Sequence, residues 1–334
     1  MGVPSEESNT NCRKPSYRAF EEISGMKIYV AGHRGLVGSA LVRAIDNSSE
    51  HSWIGRTHAE LDLLDRRAVF DFVRAEKPDA IVIAAAKVGG IYANKTHPVE
   101  FLSENLQIET NLLDAAHAAN IERLLFLGSS CVYPKLAQQP IKEEYLLTGE
   151  LEKTNEAYAL AKISGLKLVQ AYRSQYGHRW ISGMPTNMYG PGDNFDLESS
   201  HVLPALIRKF HDASKANAET VILWGTGSPL REFMHSDDLA SACLFLLNEY
   251  DSDLPINVGT GEDISIQALA QLIRDIVGFQ GGIEWDLTKP DGTPRKLLDS
   301  SRIQALGWRP SISLQEGLSS TYAWYREHSE NLSV

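Results

Sequence analysis

The chain has 334 residues, of which 43% are hydrophobic and 22% charged, as in a globular protein that buries a sizeable core. Its formal net charge of −11 argues against nucleic acid or an anionic membrane as a partner. The longest uninterrupted apolar run, Ala80 to Ala86, is too short to cross a bilayer.

Cysteine usage and the start of the chain set further limits. Cys12, Cys131 and Cys243 are far apart and odd in number, which predicts neither a disulfide framework nor a metal site. A reducing cytoplasm is the expected compartment. Residues 1–25 are rich in Ser, Asn and Glu and lack the apolar stretch of a secretory signal, so we expect a flexible extension.

Residues 26–190 alternate short apolar runs with longer helical stretches. Continuous apolar strands separated by helices predict a parallel sheet covered on both faces, a doubly wound α/β fold of the Rossmann type. The predicted strands are Lys27–Ala31, Trp53–Ile54, Ala80–Ala84, Arg123–Leu127 and Trp180–Met184; the predicted helices are Leu36–Ile45, Ala68–Ala75, Phe101–Ala119 and Glu156–Tyr176.

After Gly190 the rhythm loosens, and residues 191–334 predict a smaller C-terminal α/β lobe that binds substrate, with some elements returning to the first domain. Such a lobe would cover the carboxyl edge of the sheet, where open α/β folds bind ligands. Predicted helices are Val202–Asp212, Asp237–Leu247, Ile266–Val277 and Leu314–Glu327, and predicted strands are Val221–Leu223, Ile256–Val258 and Gly282–Trp285.

A glycine-rich loop follows the first predicted strand. Its glycines obey the spacing G-x-x-G-x-x-G, a variant of the fingerprint that lets a dinucleotide pyrophosphate approach a helix N-terminus. The loop consists of Gly32, His33, Arg34, Gly35, Leu36, Val37 and Gly38. Its position between a strand and a helix favours a dinucleotide site over a packing turn.

The end of the second strand indicates which dinucleotide binds. NAD sites usually carry an acidic residue here for the ribose 2′-hydroxyl, whereas NADP sites use arginine. Arg56 stands at this point, and Arg34 offers a second guanidinium to a 2′-phosphate. The alternative is that both arginines merely face solvent. We predict NADP(H).

A catalytic group is predicted on the helix that begins near Glu156. Tyr158 and Lys162 are four residues apart and share one helix face, where an ammonium would lower the pKa of the phenol. Ser129 follows the fourth strand and supplies a hydroxyl at the same edge of the sheet. Together these features resemble the short-chain dehydrogenase/reductase superfamily, extended type.

Particular segments resemble the GDP-L-fucose synthase family and together span about nine-tenths of the chain. They are AGHRGLVGS at 31–39, AAAKVGGI at 84–91, LGSSCVYPK at 127–135, MPTNMYGP at 184–191, WG at 224–225, REF at 231–233 and KPDGTPRKL at 289–297. The resemblance implies conversion of GDP-4-keto-6-deoxy-D-mannose to GDP-L-fucose, by epimerisation at C3 and C5 and then reduction of C4 with NADPH.

The resemblance also implies a role for each catalytic residue. Tyr158 would protonate the C4 oxygen, Ser129 would hydrogen-bond it, and Lys162 would bind the nicotinamide ribose. Cys131 would act as base and His201 as acid in epimerisation, although each could instead be a packing residue. The cofactor would also contact Leu127, Gly128, Ser129, Pro185, Thr186, Asn187, Met188 and His201.

For the substrate, the resemblance implies Lys209 and Arg231 at the diphosphate, Trp224 at the guanine or ribose, and Asp291 at the sugar nucleotide. Family members form homodimers through two long helices, which correspond here to Phe101–Ala119 and Glu156–Tyr176. One departure is His58, which stands where relatives can carry a second basic residue after Arg56.

Two alternatives remain at this point. One is GDP-L-colitose synthesis, which applies the same chemistry to a 3,6-dideoxy sugar and epimerises C5 alone. The other is a non-catalytic scaffold that senses NADPH. Scaffolds of this fold commonly lose the tyrosine or the lysine, and this chain retains both Tyr158 and Lys162.

Overall fold

The computed structural model describes residues 25–289 and 291–330, so the extension predicted at 1–25 lies, apart from Gly25, outside the described residues. The strands are β1 (Lys27–Ala31), β2 (Ser52–Ile54), β3 (Ala80–Ile83), β4 (Arg123–Leu127), β5 (Arg179–Pro185), β6 (Asn187–Tyr189), β7 (Thr220–Trp224), β8 (Leu230–Arg231), β9 (Phe233–His235), β10 (Ile256–Val258), β11 (Ile264–Ser265), β12 (Gly282–Asp286) and β13 (Arg295–Lys296).

The helices are α1 (Leu36–Ser48), α2 (Arg66–Glu76), α3 (Ile91–Thr96), α4 (Pro98–Ala118), α5 (Glu156–Tyr176), α6 (Val202–Lys215), α7 (Ser236–Glu249), α8 (Ile266–Val277), α9 (Ser301–Ala305) and α10 (Leu314–His328). Among these, α4 begins earlier than predicted because Pro98 occupies the first turn, where a missing N–H costs no helical hydrogen bond. No helix in the described ranges has the length and apolarity needed to span a membrane.

The central sheet has six parallel strands in the order β2-β1-β3-β4-β5-β10. Its side chains alternate between two cores. Val30 and Leu125 pack against α1 and α7 on one face, while Tyr29 and Phe126 pack against α2, α4 and α5 on the other. Burial on both faces explains the continuous apolar runs. The predicted doubly wound parallel fold is confirmed.

The strand order creates a crevice at the carboxyl edge of the sheet. From β1 the chain crosses to β2 on one side, then to β3 on the other side of β1. The loops after β1 and β3 therefore diverge, and open α/β folds bind their ligands at such a point. The glycine loop that predicts the dinucleotide site lies here.

The C-terminal part supplies both a lobe and returning elements. α7 packs on α1, and β10 extends the main sheet beside β5. The lobe has its own core, in which Leu206 and Phe210 of α6 meet Ile273 of α8 and Leu318 of α10. Three small sheets complete it: β11-β8-β13, β12-β7 and β6-β9.

Candidate functional site

The glycine loop is shaped to admit a ligand close to its backbone. Gly32 has a φ of +86°, and a Cβ there would lie 2.8 Å from the Cα of Ala85. A Cβ on Gly38 would overlap the carbonyl oxygen of Gly32 and lie 2.7 Å from the Cα of His33. α1 begins after Gly35 without a side-chain cap, which leaves its first N–H groups for an anion. The loop fits a dinucleotide pyrophosphate.

The two arginines predicted to select NADP(H) both lie beside this loop, but they differ in exposure and in contacts. Arg34 is exposed, whereas Arg56 pairs with Glu76 at 2.7 Å and its guanidinium lies 5.0 Å from the centre of the Phe72 ring. Both arginines contribute to lowering the pKa of His33, after burial as the main cause. They therefore flank the same part of the loop. The nearby His58 is exposed, with its Nδ1 3.7 Å from a carboxylate oxygen of Asp62.

Three other residues of the glycine loop pack against, or form part of, neighbouring elements of the structure. His33 stacks on Trp53, with ring centroids 5.7 Å apart, and Gly55 leaves room for the imidazole. Leu36 and Val37 form the first turn of α1, and Val37 packs against the core beneath the sheet. His33 thus buttresses the loop from the β2 side.

Ser129 connects the catalytic candidates at the end of β4. Its Oγ accepts the backbone N–H of Cys131 at 3.2 Å within the 3₁₀ turn Ser130–Val132. The pKa of Tyr158 is raised, first by burial and then by Cys131 and Glu109, while a hydrogen bond with Ser129 opposes the shift. Tyr158, Ser129 and Cys131 are thereby brought together, as the sequence predicts.

Lys162 lies differently from expectation. Its Nζ is 3.2 Å from Oε1 of Glu109 on α4, and both side chains are almost completely buried. The ammonium also lies 4.8 Å from the centre of the Phe126 ring. The sequence predicts that Lys162 lowers the pKa of Tyr158, but here burial raises that pKa, and the charges that act on it are those of Cys131 and Glu109.

Cys131 and His201 share a cation that the sequence analysis does not single out. The Sγ of the half-buried Cys131 accepts from Asn155 Nδ2 at 3.1 Å and from Lys296 Nζ at 3.7 Å. His201 is the N-cap residue of α6, with part of the residue open to solvent, and its pKa is lowered, first by desolvation and then by Lys296. Lys296 belongs to the segment 289–297, and the resemblance of that segment to the fucose synthase family is the signal that could have identified this residue.

The cofactor residues predicted at the ends of β4 and β5 line adjacent strands. A Cβ on Gly128, which follows Leu127, would meet the Met184 side chain at 2.5 Å. The loop after β5 is fixed to the lobe: Thr186 and Asn187 both donate to the carbonyl of Glu232, at 3.3 and 2.7 Å. This segment runs from Pro185 through Thr186 and Asn187 to Met188, at the edge that carries Tyr158.

The predicted substrate residues form an open, cationic surface on the lobe. Trp224 is 62% exposed, so it is not a core aromatic, and Lys209 and Lys289 place Nζ atoms 5.7 and 5.4 Å from its ring centre. Burial lowers the pKa of Lys209. Arg231 lies near both Cys131 and Asp291: burial lowers its pKa, and the charges of these two residues oppose that shift.

Asp291 has a structural function in addition to its predicted one. Its two carboxylate oxygens accept from the backbone N–H and the hydroxyl of Thr226, at 2.6 and 2.8 Å. These bonds fix the turn after Trp224. In residues 25–289 and 291–330, no group of three or more His, Cys, Asp or Glu side chains is arranged to hold a metal ion.

Comparison with known proteins defines the class. The model of the NAD dependent epimerase/dehydratase family matches residues 28–259, and the chain belongs to that family. Within it, GDP-L-fucose synthase 1 of Arabidopsis thaliana is 57% identical over 309 residues, 91% of this chain and 96% of the relative. GDP-L-fucose synthase of Escherichia coli (strain K12) is 50% identical, covering 92% and 99%. The resemblance to GDP-L-fucose synthases is confirmed.

More distant relatives bear on the alternatives. GDP-L-colitose synthase of Yersinia pseudotuberculosis is 40% identical over 92% of this chain and 100% of the relative. Among solved structures, a GDP-6-OMe-4-keto-L-xylo-heptose reductase from C. jejuni has a TM-score of 0.87 at 35% identity, covering 91% and 98%. A GDP-L-fucose synthetase from Naegleria fowleri bound to NADP has a TM-score of 0.84 at 28% identity, covering 91% and 95%.

Proposed function

We propose that this chain is an NADPH-dependent epimerase-reductase that converts GDP-4-keto-6-deoxy-D-mannose to GDP-L-fucose. The observation that carries the proposal is the meeting of Ser129, Tyr158 and the Cys131 thiol at the sheet edge that also bears the glycine loop. A reductase needs the first two groups, and an epimerase needs a base as well. Identity to the A. thaliana and E. coli fucose synthases, 57% and 50%, exceeds the 40% identity to the colitose synthase, which favours fucose as the product.

The cofactor is NADP(H), held by the loop at Gly32 to Gly38 and by the N-terminus of α1. When bound, NADPH supplies the hydride that reduces the C4 ketone. Arg34 is free to reach a 2′-phosphate, and Arg56 is held in place beside it by Glu76. Two guanidinium groups at one phosphate give charge-assisted hydrogen bonds that NADH cannot make.

In the reduction, Tyr158 donates its proton to the C4 oxygen as negative charge develops there. The burial of Tyr158 keeps the phenol protonated, which a proton donor requires. Ser129 hydrogen-bonds the same oxygen and is already oriented by the backbone N–H of Cys131. These two hydroxyls form the electrostatic support for the reacting oxygen.

In the epimerisation, the C4 ketone acidifies the protons at C3 and C5, because the resulting carbanion is delocalised as an enolate. Cys131 removes a proton from one ring face, and His201 returns one to the opposite face. Lys296 contacts the Cys131 sulfur at 3.7 Å and also acts on the pKa of His201, so one cation serves both groups. Asn155 orients the same sulfur.

The substrate is acidic, so an acidic protein must offer local cations to bind it. Lys209, Lys289 and Arg231 provide them on the lobe, and the exposed ring of Trp224 offers a face for the guanine or ribose. Asp291 holds the turn that presents this ring.

We also propose that the chain is a cytoplasmic homodimer. The dimer would form through the outer faces of α4 and α5, where Val99 and Leu160 are exposed apolar side chains. Light scattering after gel filtration would test the mass, and Leu160→Glu should shift it toward the monomer because it places charge in an apolar contact.

The decisive experiment is incubation of the purified protein with NADPH and GDP-4-keto-6-deoxy-D-mannose, followed by NMR of the sugar. We expect NADPH consumption and GDP-L-fucose; a product reduced at C4 with C3 and C5 unchanged would contradict the epimerase assignment. The 3-deoxy analogue, run in parallel, tests colitose synthesis. No NADPH consumption with either sugar, in a protein that binds NADPH, would support the scaffold instead.

A further inference from the structure

Beneath the catalytic tyrosine lies a buried carboxylate that the proposed mechanism does not use. Glu109 sits on α4 with a side chain that is 2% exposed, and its Oε1 is 3.2 Å from Lys162 Nζ. Burial raises the pKa of Glu109, and Lys162 is the charge that opposes the shift. A buried ion pair is costly to desolvate, so its retention beside the reacting tyrosine calls for a functional reason.

The surrounding residues make room for this carboxylate. A Cβ on Gly165 of α5 would lie 2.6 Å from Oε2 of Glu109 and 2.5 Å from Cζ of Phe126. The glycine therefore lets α4 and α5 approach closely enough for the carboxylate to reach Lys162. Within α5, Lys162 and Tyr158 are one turn apart. The negative charge of Glu109 also contributes to the raised pKa of Tyr158, after burial and Cys131.

Two other charged groups on α4 have partners of their own. On α4, Glu104 pairs with Lys87, which follows β3, at 3.0 Å, and Asp114 pairs with Arg66 of α2 at 2.7 Å. Facing Glu109 from α5 are Lys162 and Tyr158, and Cys131 acts on Tyr158 from the turn after β4.

We propose that Glu109 is a positioning residue for the reduction: it anchors the Lys162 ammonium one turn from Tyr158, and its negative charge helps Tyr158 to keep its proton at alkaline pH. The sign follows from electrostatics. A negative charge near a phenol disfavours the phenolate, and Glu109 is the carboxylate paired with the lysine one turn from Tyr158. Reduction consumes the phenol proton, so a phenol that ionises too early cannot serve as donor. This inference rests on the proposed reductase function.

The test is the pH profile of kcat/KM for NADPH-dependent ketone reduction by Glu109→Gln, which retains the shape of the side chain but removes its charge. The limb on which activity is lost at alkaline pH should move to lower pH by at least about one unit. Glu104→Gln removes a lysine-paired carboxylate from the same helix and should leave that limb in place. An unmoved limb in a folded Glu109→Gln protein would overturn the proposal.

A second measurement needs neither cofactor nor substrate. Ultraviolet difference spectra follow tyrosinate formation in the free protein, and subtraction of the same background carrying Tyr158→Phe isolates Tyr158. This tyrosine should ionise at lower pH in Glu109→Gln than with Glu109 intact. If Glu109 were purely structural, Glu109→Gln would lower the melting temperature but would change neither the pH profile of reduction nor the titration of Tyr158. If wild type fails to reduce any ketone, the proposed function fails while this titration still decides the role of Glu109.

Glu109→Gln leaves Lys162 buried without its counter-charge, so folding needs its own check by near-ultraviolet circular dichroism. Should that variant not fold, Glu109→Asp replaces it, because this substitution retains the charge but withdraws it by one methylene. We then expect the same downward shift in smaller measure, and a wild-type profile in the folded Glu109→Asp protein would overturn the proposal.

Discussion

Replacing Gly38 by alanine tests the cofactor loop most directly. The added Cβ would overlap the Gly32 carbonyl oxygen and lie 2.6 Å from the Gly32 carbonyl carbon, where carbon atoms prefer about 3.5–4.0 Å. All the obstructing atoms are backbone, so α1 and the loop must separate by about 1 Å. Overpacking of this kind typically costs about 1–3 kcal/mol of unfolding free energy.

The same displacement moves the N–H groups that face the pyrophosphate. Loss of one hydrogen bond to a charged group costs about 1.5–3 kcal/mol, so NADPH should bind at least about tenfold more weakly. Urea denaturation measures the stability, and titration of nicotinamide fluorescence measures the affinity. Gly35→Ala is the control for stability: Gly35 has a φ of −73°, and the nearest atom to its Cβ would be 3.4 Å away. Wild-type stability together with NADPH affinity within about threefold in Gly38→Ala would refute the reasoning.

The remaining predictions concern cofactor choice, epimerisation and pH. Arg34→Ala combined with Arg56→Ala should weaken NADPH by more than about tenfold and NADH far less, because only NADPH offers the 2′-phosphate; equal weakening in fluorescence titrations would contradict this. Cys131→Ala should abolish deuterium uptake at C3 and C5 of the keto-sugar in heavy water with oxidised cofactor, as followed by NMR, and uptake at the wild-type rate would leave Cys131 only a packing role. Burial raises the pKa of Asp193 to about 7, above its unfolded value, so its stabilising contribution is present at low pH and is lost as pH rises through 7. Asp193→Asn should therefore raise the melting temperature more at pH 8 than at pH 5, and an equal change at both would contradict it.

The elements that the sequence predicted best are those whose pattern reflects burial alone. β3 is apolar throughout, and β4 is apolar after Arg123, because both faces of a parallel sheet are covered. By contrast, the two-residue strands β8, β11 and β13 exist only through their partners. No local pattern specifies such pairing, and the sequence analysis missed them.

The functional site likewise has a part that could be predicted from the sequence and a part that could not. The glycine loop and the Tyr158–Lys162 pair are local in sequence and were predictable, whereas the partner of Lys162 was not. Glu109 lies on another helix and resembles an ordinary surface acid in the sequence. Its burial follows from the small size of Gly165, which is a tertiary feature. The pairing of Arg56 with Glu76 likewise depends on α2 returning to β1.

The small lobe sheet places Arg231, a proposed substrate residue, opposite Lys296, which contacts the Cys131 sulfur. β13 pairs with β8 in the register that sets Lys296 opposite Arg231, so both cations project from one ladder near the Cys131 sulfur. Arg231 also interacts with Asp291, which holds the turn after Trp224. In the proposed mechanism Arg231 would meet the substrate diphosphate and Lys296 the Cys131 sulfur, so a protein of net charge −11 would offer positive charge locally to both. Because the register places the two cations side by side, substrate binding and epimerisation would draw on the same local field.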